Sequence, residues 1–373
     1  MQRIDELITD LVRQVLDSMN AGVYLTDTGR RILLWNKAAE RIMGHRAADV
    51  IGRPCSDRVF QHVDQDGRPL CTTSLCPLNR AIVTGRASER PIIIYARTAS
   101  GARIPLSTMV SPLRDDEGNV IGGVEVFRDE SEGLQQMELA RFVQRRMLPT
   151  DLPVGDRISF AFEYAPVDLI GGDFCHVEQL SEGVYDMMIA DVAGHGVAAA
   201  LYTALLHSMV HECADSMGDP ARFLSALNTR LFQRMPEDEI ATALAATIDC
   251  QARTAVVCSA GHPPALVQGP GGSAIREVET YNLPLGVMEA TVYSGMAVRL
   301  APGERILTYT DGALEIRTGR SARLGRAGVI DVISRFAPAD GRHQLREIYE
   351  ALVARRAAPD AEDDITLLSC ILA

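Results

Sequence analysis

The sequence predicts an α+β chain of two domains joined by a helix, and three observations carry that expectation. The chain has 373 residues, longer than one typical domain, and 47% of them are hydrophobic, enough to bury ordinary cores. Its first third sets short strand-like runs and tight turns around helical stretches. The remainder repeatedly places an Asp beside Gly or at the edge of an apolar run. A formal net charge of −12 and a pI near 5.2 argue against nucleic acid as the main partner, since phosphate backbones are held by clustered Lys and Arg. No run reaches the ~18 apolar residues of a membrane span, and the opening MQRIDELITDL lacks the basic-then-apolar order of a signal peptide, so a cytoplasmic location is expected. Eight cysteines in a chain of this length make no disulfide framework, and in a reducing compartment most are small apolar core residues.

From Ile4 to Met19 the apolar residues Ile4, Leu7, Ile8, Leu11, Val15, Leu16 and Met19 recur at three- and four-residue steps, which predicts an amphipathic helix over 1–19. Its stripe is suited to packing on its own domain or on a second copy. Val23–Leu25 and Ile32–Trp35 follow as two short strands around the turn Asp27-Thr28-Gly29-Arg30, and Asn36 to Met43 reads as helical. Helical stretches are expected to about Thr84. Strands are expected at Arg90–Arg97, Ile104–Leu113 and Val120–Arg128, with Asp115 to Asn119 as the last turn. With its NAGVYLTDTGRRILLWNKAA start, residues 20–39, this region resembles a PAS sensory domain, assigned to 20–130.

Within it lie Cys55, Cys71 and Cys76. The four-residue gap in LCTTSLC and the nearby His62 make these candidate ligands for a metal or another sensor group, against the alternative of buried structural thiols. Residues 131–150, SEGLQQMELARFVQRRMLPT, read as a linker helix stopped by Pro149, able to transmit a change in packing or to serve as a passive spacer.

The second domain, 151–373, carries the chemistry. Asp191 ends the apolar run MMIAD before a loop with Gly194 and Gly196, Asp311 ends RILTYTD before Gly312, and Asp363 and Asp364 begin the run ITLLSCIL; Asp173 follows Gly171-Gly172. Each alone is explained by a turn. Carboxylates at several strand ends that meet on one edge, however, raise one another's pKa and cannot all ionise without a compensating cation. An oxygen-only ligand set favours Mg²⁺ or Mn²⁺, and two such ions suit the hydrolysis of a phosphate ester.

GGDF, ADVAGHGVAAAL, SAGHPPAL, LPLGV, LTYTDGALE and DDITLL together resemble, in order and spacing, the sporulation and stress-response branch of metal-dependent Ser/Thr phosphatases, similar to stage II sporulation protein E and related to type 2C phosphatases. The resemblance implies a β-sandwich flanked by helices, with two Mn²⁺ or Mg²⁺ ions at one end. It implies that Asp191 bridges both metals beside the Val192 carbonyl, that Asp311 and Asp363 complete one site, and that Asp173 holds the second, with Asp364 behind them. His195, in the glycine loop, is a candidate proton donor to the leaving group, against simple loop structure. Arg320 and Arg323 are candidate phosphate contacts, against a solvated loop.

Family members frequently have an acidic residue where His176 stands, which bears on the second metal. The implied activity is a sensor-regulated protein-serine/threonine phosphatase acting through metal-activated water on a phosphoprotein, an anti-sigma-factor antagonist, and the implied assembly is a homodimer through the PAS and linker helices. A catalytically degenerate metal-binding scaffold and a small-molecule phosphomonoesterase are the alternatives.

Overall fold

The computed structural model describes the chain except residues 1, 58, 150, 154, 156, 195, 237–238, 273, 320–321, 340–341 and 358–362, and except the side chains of 2–9 and 342. Two compact units divide it, Met1–Gln136 and Met137–Ala373.

The first unit opens with α1 (Gln2–Ser18) and the hairpin β1 (Gly22–Asp27) and β2 (Ile32–Trp35). Asp27 closes the turn by accepting the Arg31 N–H at 2.8 Å on Oδ1. Asn36 then starts α2 (Lys37–Met43) as its N-cap: Oδ1 accepts from Ala39 N and Val23 N, both at 2.9 Å, and Nδ2 donates to the carbonyls of Leu16 and Ala21. One buried amide thereby ties α1, β1 and α2. After α3 (Ala47–Val50) comes α4 (Pro77–Thr84), with Pro77 in its first turn. The expected helical run to Thr84 is interrupted here: the described residues between Val50 and Pro77 form turns and bridges, because Gly52, Pro54, Gly67 and Pro69 break any helical period. β3 (Ile92–Arg97), β4 (Arg103–Arg114) and β5 (Val120–Asp129) complete an antiparallel sheet of order β2-β1-β5-β4-β3. Its core gathers Tyr24, Trp35, Phe60 and Phe127 with Leu78 and Ile82 of α4.

A helix, α5 (Ser131–Arg145), leads from the first unit into the second. There follow β6 (Ile158–Ala165), β7 (Asp173–Ser181), β8 (Val184–Val192), α6 (Val197–Glu212) and α7 (Pro220–Arg234). Asp219 caps α7 by accepting from the backbone of Ala221 and Arg222, and Phe223, Leu224, Leu227 and Leu231 form its buried stripe. Next are β9 (Ala241–Asp249), β10 (Thr254–Ala260), β11 (Ala265–Gln268), β12 (Ile275–Val278), β13 (Met296–Arg299) and β14 (Arg305–Tyr309). The chain ends with α8 (Gly312–Glu315), α9 (Gly325–Ile333), α10 (Arg342–Val353) and β15 (Ile365–Leu372).

Two antiparallel sheets, β13-β10-β9-β8-β7 and β12-β11-β14-β15-β6, stack face to face. Side-chain alternation along each strand sorts residues between layers. Along β7 and β8, Cys175, Val177, Met187 and Ile189 enter the core between the sheets, where Ile306, Leu368 and Cys370 meet them. Phe174, Met188 and Ala190 face outward onto α6 and α7, and Leu307, Tyr309 and Leu367 face outward onto α8, α9 and α10. The unit is thus a β-sandwich with a helical layer on each side. No helix among the described residues is long and apolar enough to cross a membrane.

Candidate active site

At one end of the sandwich the carboxylates converge. β7 and β8 pair so that Asp173 lies directly opposite Asp191. Both occupy alternation positions that face the other sheet, in step with Cys175 and Ile189. From that second sheet, Asp311 lies two residues past the end of β14 and Asp363 and Asp364 immediately precede β15, its hydrogen-bonded neighbour.

Burial and mutual repulsion raise the proton affinity of Asp191, Asp311 and Asp173. Asp191 is pushed up to about 9, first by loss of water and then by the charges of Asp173, Asp311, Asp363 and Asp364. Asp311 is raised by burial, Asp363 and Glu315, and partly relieved by a hydrogen bond from Asp191. Asp173, 1% exposed, is raised well above the usual carboxylate range, chiefly by burial. Its Oδ2 accepts from the hydroxyls of Thr366 (2.6 Å) and Thr310 (2.9 Å), while its buried Oδ1 has no hydrogen-bond partner.

Asp364 does a different job. Its Oδ1 accepts the Val167 N–H and its Oδ2 the Gly172 N–H, each at 2.7 Å, which pins the loop leading into β7. The fit is tight enough to require glycines: a Cβ on Gly171 would sit 2.1 Å from Asp364 Oδ2, and one on Gly312 would sit 2.0 Å from the Asp364 carbonyl oxygen. Asp364→Ala strands the buried Gly172 N–H and the half-buried Val167 N–H and is expected to destabilise the protein by about 2 to 5 kcal/mol. Denaturant unfolding checks this, and a loss below ~1 kcal/mol would remove Asp364 from that role.

Among the described residues no group of three or more His, Cys, Asp or Glu side chains stands ready to hold a metal ion. The reason lies in how the oxygens are used: Asp191 and Asp311 bond each other, and Asp173 and Asp364 face hydroxyls and backbone amides. The donor set nonetheless fits a hard divalent cation. It is all oxygen, its charges repel one another, and the orphaned Oδ1 of Asp173 lacks only a positive partner.

The pattern of the stage II sporulation protein E (SpoIIE) family matches residues 181–371, more than half of the chain. The chain belongs to the SpoIIE family. The pattern of a PAS fold matches residues 16–133. Phosphoserine phosphatase RsbP of Bacillus subtilis (strain 168) is 29% identical over 185 residues, covering 48% of this chain and 45% of RsbP. Phosphoserine phosphatase RsbU of the same organism is 24% identical over 239 residues, 64% of this chain and 70% of RsbU. This chain therefore spans about half the length of RsbP. The SiaA-PP2C domain of Pseudomonas aeruginosa shares the fold, with a TM-score of 0.59 at 23% identity over 65% of this chain and 98% of that one. The architecture is accordingly an N-terminal PAS fold followed by a PP2C-like sandwich, and phosphatases of the SpoIIE type are metal-dependent.

Within this SpoIIE-family unit the other expected residues lie as follows. Val192 is buried, its N–H donating to the Gly172 carbonyl at 3.1 Å. His195 and Arg320 lie outside the described residues. Arg323 is exposed and paired with Glu315. His176, whose acidic counterpart in relatives bore on the second metal, takes the opposite face of β7 from Asp173 and sits against His211 of α6.

In the PAS unit Cys55, Cys71, Cys76 and His62 are all buried. Burial pushes the Cys55 thiol up to about 12 and Cys71 to about 11, so both stay protonated near neutrality, and Cys71 Sγ accepts the His62 backbone N–H at 3.1 Å. Close by in that core, Glu125 is raised to about 7 by burial while Tyr24 donates to its Oε2 at 2.7 Å.

Three residues of the carboxylate site escaped the sequence reading. Thr310 and Thr366 stand beside recognised aspartates, and their signal was the Thr at an alternation position facing inward. Gln144 of α5 is 5% exposed; its Nε2 donates to the Gly171 carbonyl (2.6 Å) and its Oε1 accepts the Gly171 N–H (3.2 Å) and the Tyr164 hydroxyl (3.1 Å). A Gln in a linker helix gives no local sign of that bond.

Proposed function

We propose that the chain is a sensor-regulated, metal-dependent protein-serine/threonine phosphatase that acts on a small phosphorylated regulator, an anti-sigma-factor antagonist, in the cytoplasm. The observation that carries the reading is the convergence of Asp173, Asp191, Asp311 and Asp363 from four strand ends, on a SpoIIE-family fold whose relatives RsbP and RsbU are named phosphoserine phosphatases.

Asp191 would be shared between two Mn²⁺ or Mg²⁺ ions beside the Val192 carbonyl, with Asp311 and Asp363 on one and Asp173 on the other. When bound, the ions supply Lewis acidity to a water nucleophile and to the phosphoryl oxygens. The chain's own part is to surrender the proton shared by Asp191 and Asp311, to hold Asp173 through Thr310 and Thr366, and to fix the approach loop through Asp364 and Gln144. His195 remains the candidate donor of a proton to the leaving serine oxygen. Gln144 ties the linker helix to the backbone two residues before Asp173, a short route for regulation. The exposed Leu139, Phe142 and Val143 on that helix support pairing with a second copy.

The test is turnover with Mn²⁺ of a phosphoserine-bearing antagonist protein beside sugar and nucleotide phosphates. Rapid loss of phosphate from the protein alone is expected. Preference for the small phosphates would favour a metabolite phosphatase, and no hydrolysis by folded protein with metal would favour a scaffold.

A further inference from the structure

Where α6 packs beside the edge strand β7, three histidines share one corner. His207 and His211 are four residues apart on α6, so they lie on one face, a turn apart. Their Nε2 atoms are 3.3 Å apart and their rings meet at 74°. His176 reaches over from β7, its ring centroid 5.7 Å from that of His211, with Nε2 3.2 Å from Glu178 Oε2.

A hydrogen bond between the two helical imidazoles accounts for their contact. It does not account for the third histidine, or for the carboxylate that orients it. Two imidazole nitrogens bound at ~2.0–2.1 Å to one tetrahedral Zn²⁺ stand ~3.3–3.4 Å apart, the separation seen between His207 and His211.

We propose that His207, His211 and His176 form a binding site for a borderline transition-metal cation, Zn²⁺ foremost, which ties α6 to β7. The donors are nitrogen, so the site selects a different class of ion from the all-oxygen carboxylate cluster. Among the described residues no three such groups are already gathered, so His207 and His211 are the paired ligands and His176 is the third, brought in through its Nδ1 by a ring movement that keeps Nε2 beside Glu178. Glu178 supplies the carboxylate that commonly orients a metal-bound imidazole. Burial and the neighbouring rings lower the proton affinity of His176 and His207, which favours the neutral imidazoles that a metal requires. His211 is exposed and His207 half-buried, so an ion enters from solvent. The tie joins the strand that starts at Asp173 to the helix that leaves the Asp191 loop.

The experiment uses the full-length, untagged, metal-stripped protein and Zn²⁺ as the probe, with bound zinc counted after equilibrium dialysis. The His207→Gln/His211→Gln variant, altered at accessible helix positions, is expected to bind one Zn²⁺ fewer than wild type while its Mn²⁺ binding is unchanged. Co²⁺ in place of Zn²⁺ should give visible absorption bands that this variant loses. His176→Gln should weaken the same site at least tenfold. Equal zinc stoichiometry in wild type and the double variant would overturn the site, and undiminished affinity in His176→Gln would overturn the tie to β7.

Discussion

Asp191→Asn abolishes phosphate release, a loss of ~10³-fold or more, and Asp311→Asn does the same, while both variants remain folded. Asp191 stands at the centre of the cluster: it faces Asp173 across the β7–β8 pair and feels the charges of Asp311, Asp363 and Asp364. Asparagine keeps the shape and one acceptor oxygen but carries no charge, so two cations brought together on the shared ligand would lose their common counter-charge. Each ion contributes several kcal/mol to the transition state, which sets the expected size of the loss. The fold should not suffer, because the neutral amide removes a carboxyl that burial and like charges already disfavour. Phosphate release at saturating Mn²⁺ and the thermal midpoint are read side by side. Wild-type rates in either variant would remove that residue from the metal site, and a collapsed midpoint would assign it to the fold instead.

The second large effect is on stability. Folding raises Asp191 from the ordinary 3.8 to about 9, and Asp173 and Asp311 are raised as well. A group with a raised folded pKa contributes stability that is fully present below its unfolded pKa and is lost as pH rises through the folded one. The metal-free protein should therefore melt at progressively lower temperature between about pH 4 and pH 9. Mn²⁺ must displace these protons, so its affinity, and the midpoint gain it brings, should grow over the same window. At an ion concentration 100-fold above Kd the gain is about 2.7 kcal/mol, on the order of 5–10 °C. In Asp191→Asn the metal-free slope should flatten. A midpoint indifferent to pH, or a Mn²⁺ effect that shrinks as pH rises, would contradict the electrostatic account.

Much of this architecture was legible in local chemistry. Asp27 to Arg30 announced the first hairpin, Asn36 to Met43 announced α2, and apolar runs ending on Asp191 or beginning after Asp364 marked strand ends that could share an edge. What stayed hidden depends on register and on long-range partners. That Asp173 meets Asp191 face to face follows from the β7–β8 pairing and its irregularity between Gln179 and Ser181, which composition does not reveal. His176 was read as bearing on the second metal because family members carry an acidic residue there, yet strand alternation sends it to the opposite face of β7 from Asp173. Asp364 was expected behind the metals; its two backbone hydrogen bonds join residues 192 and 197 positions apart, and no local pattern encodes them. The irregular stretch between Val50 and Pro77 escaped because its glycines and prolines were outweighed by the helical neighbours on either side.

Phosphate release from a phosphoserine-bearing antagonist protein, followed for the full-length chain as Mn²⁺ is first chelated and then restored, tests the central claim most directly. Release that stops with the chelator and returns in proportion to added Mn²⁺ is the result expected of a carboxylate-held metal phosphatase. Release that continues unchanged without divalent ions would contradict it.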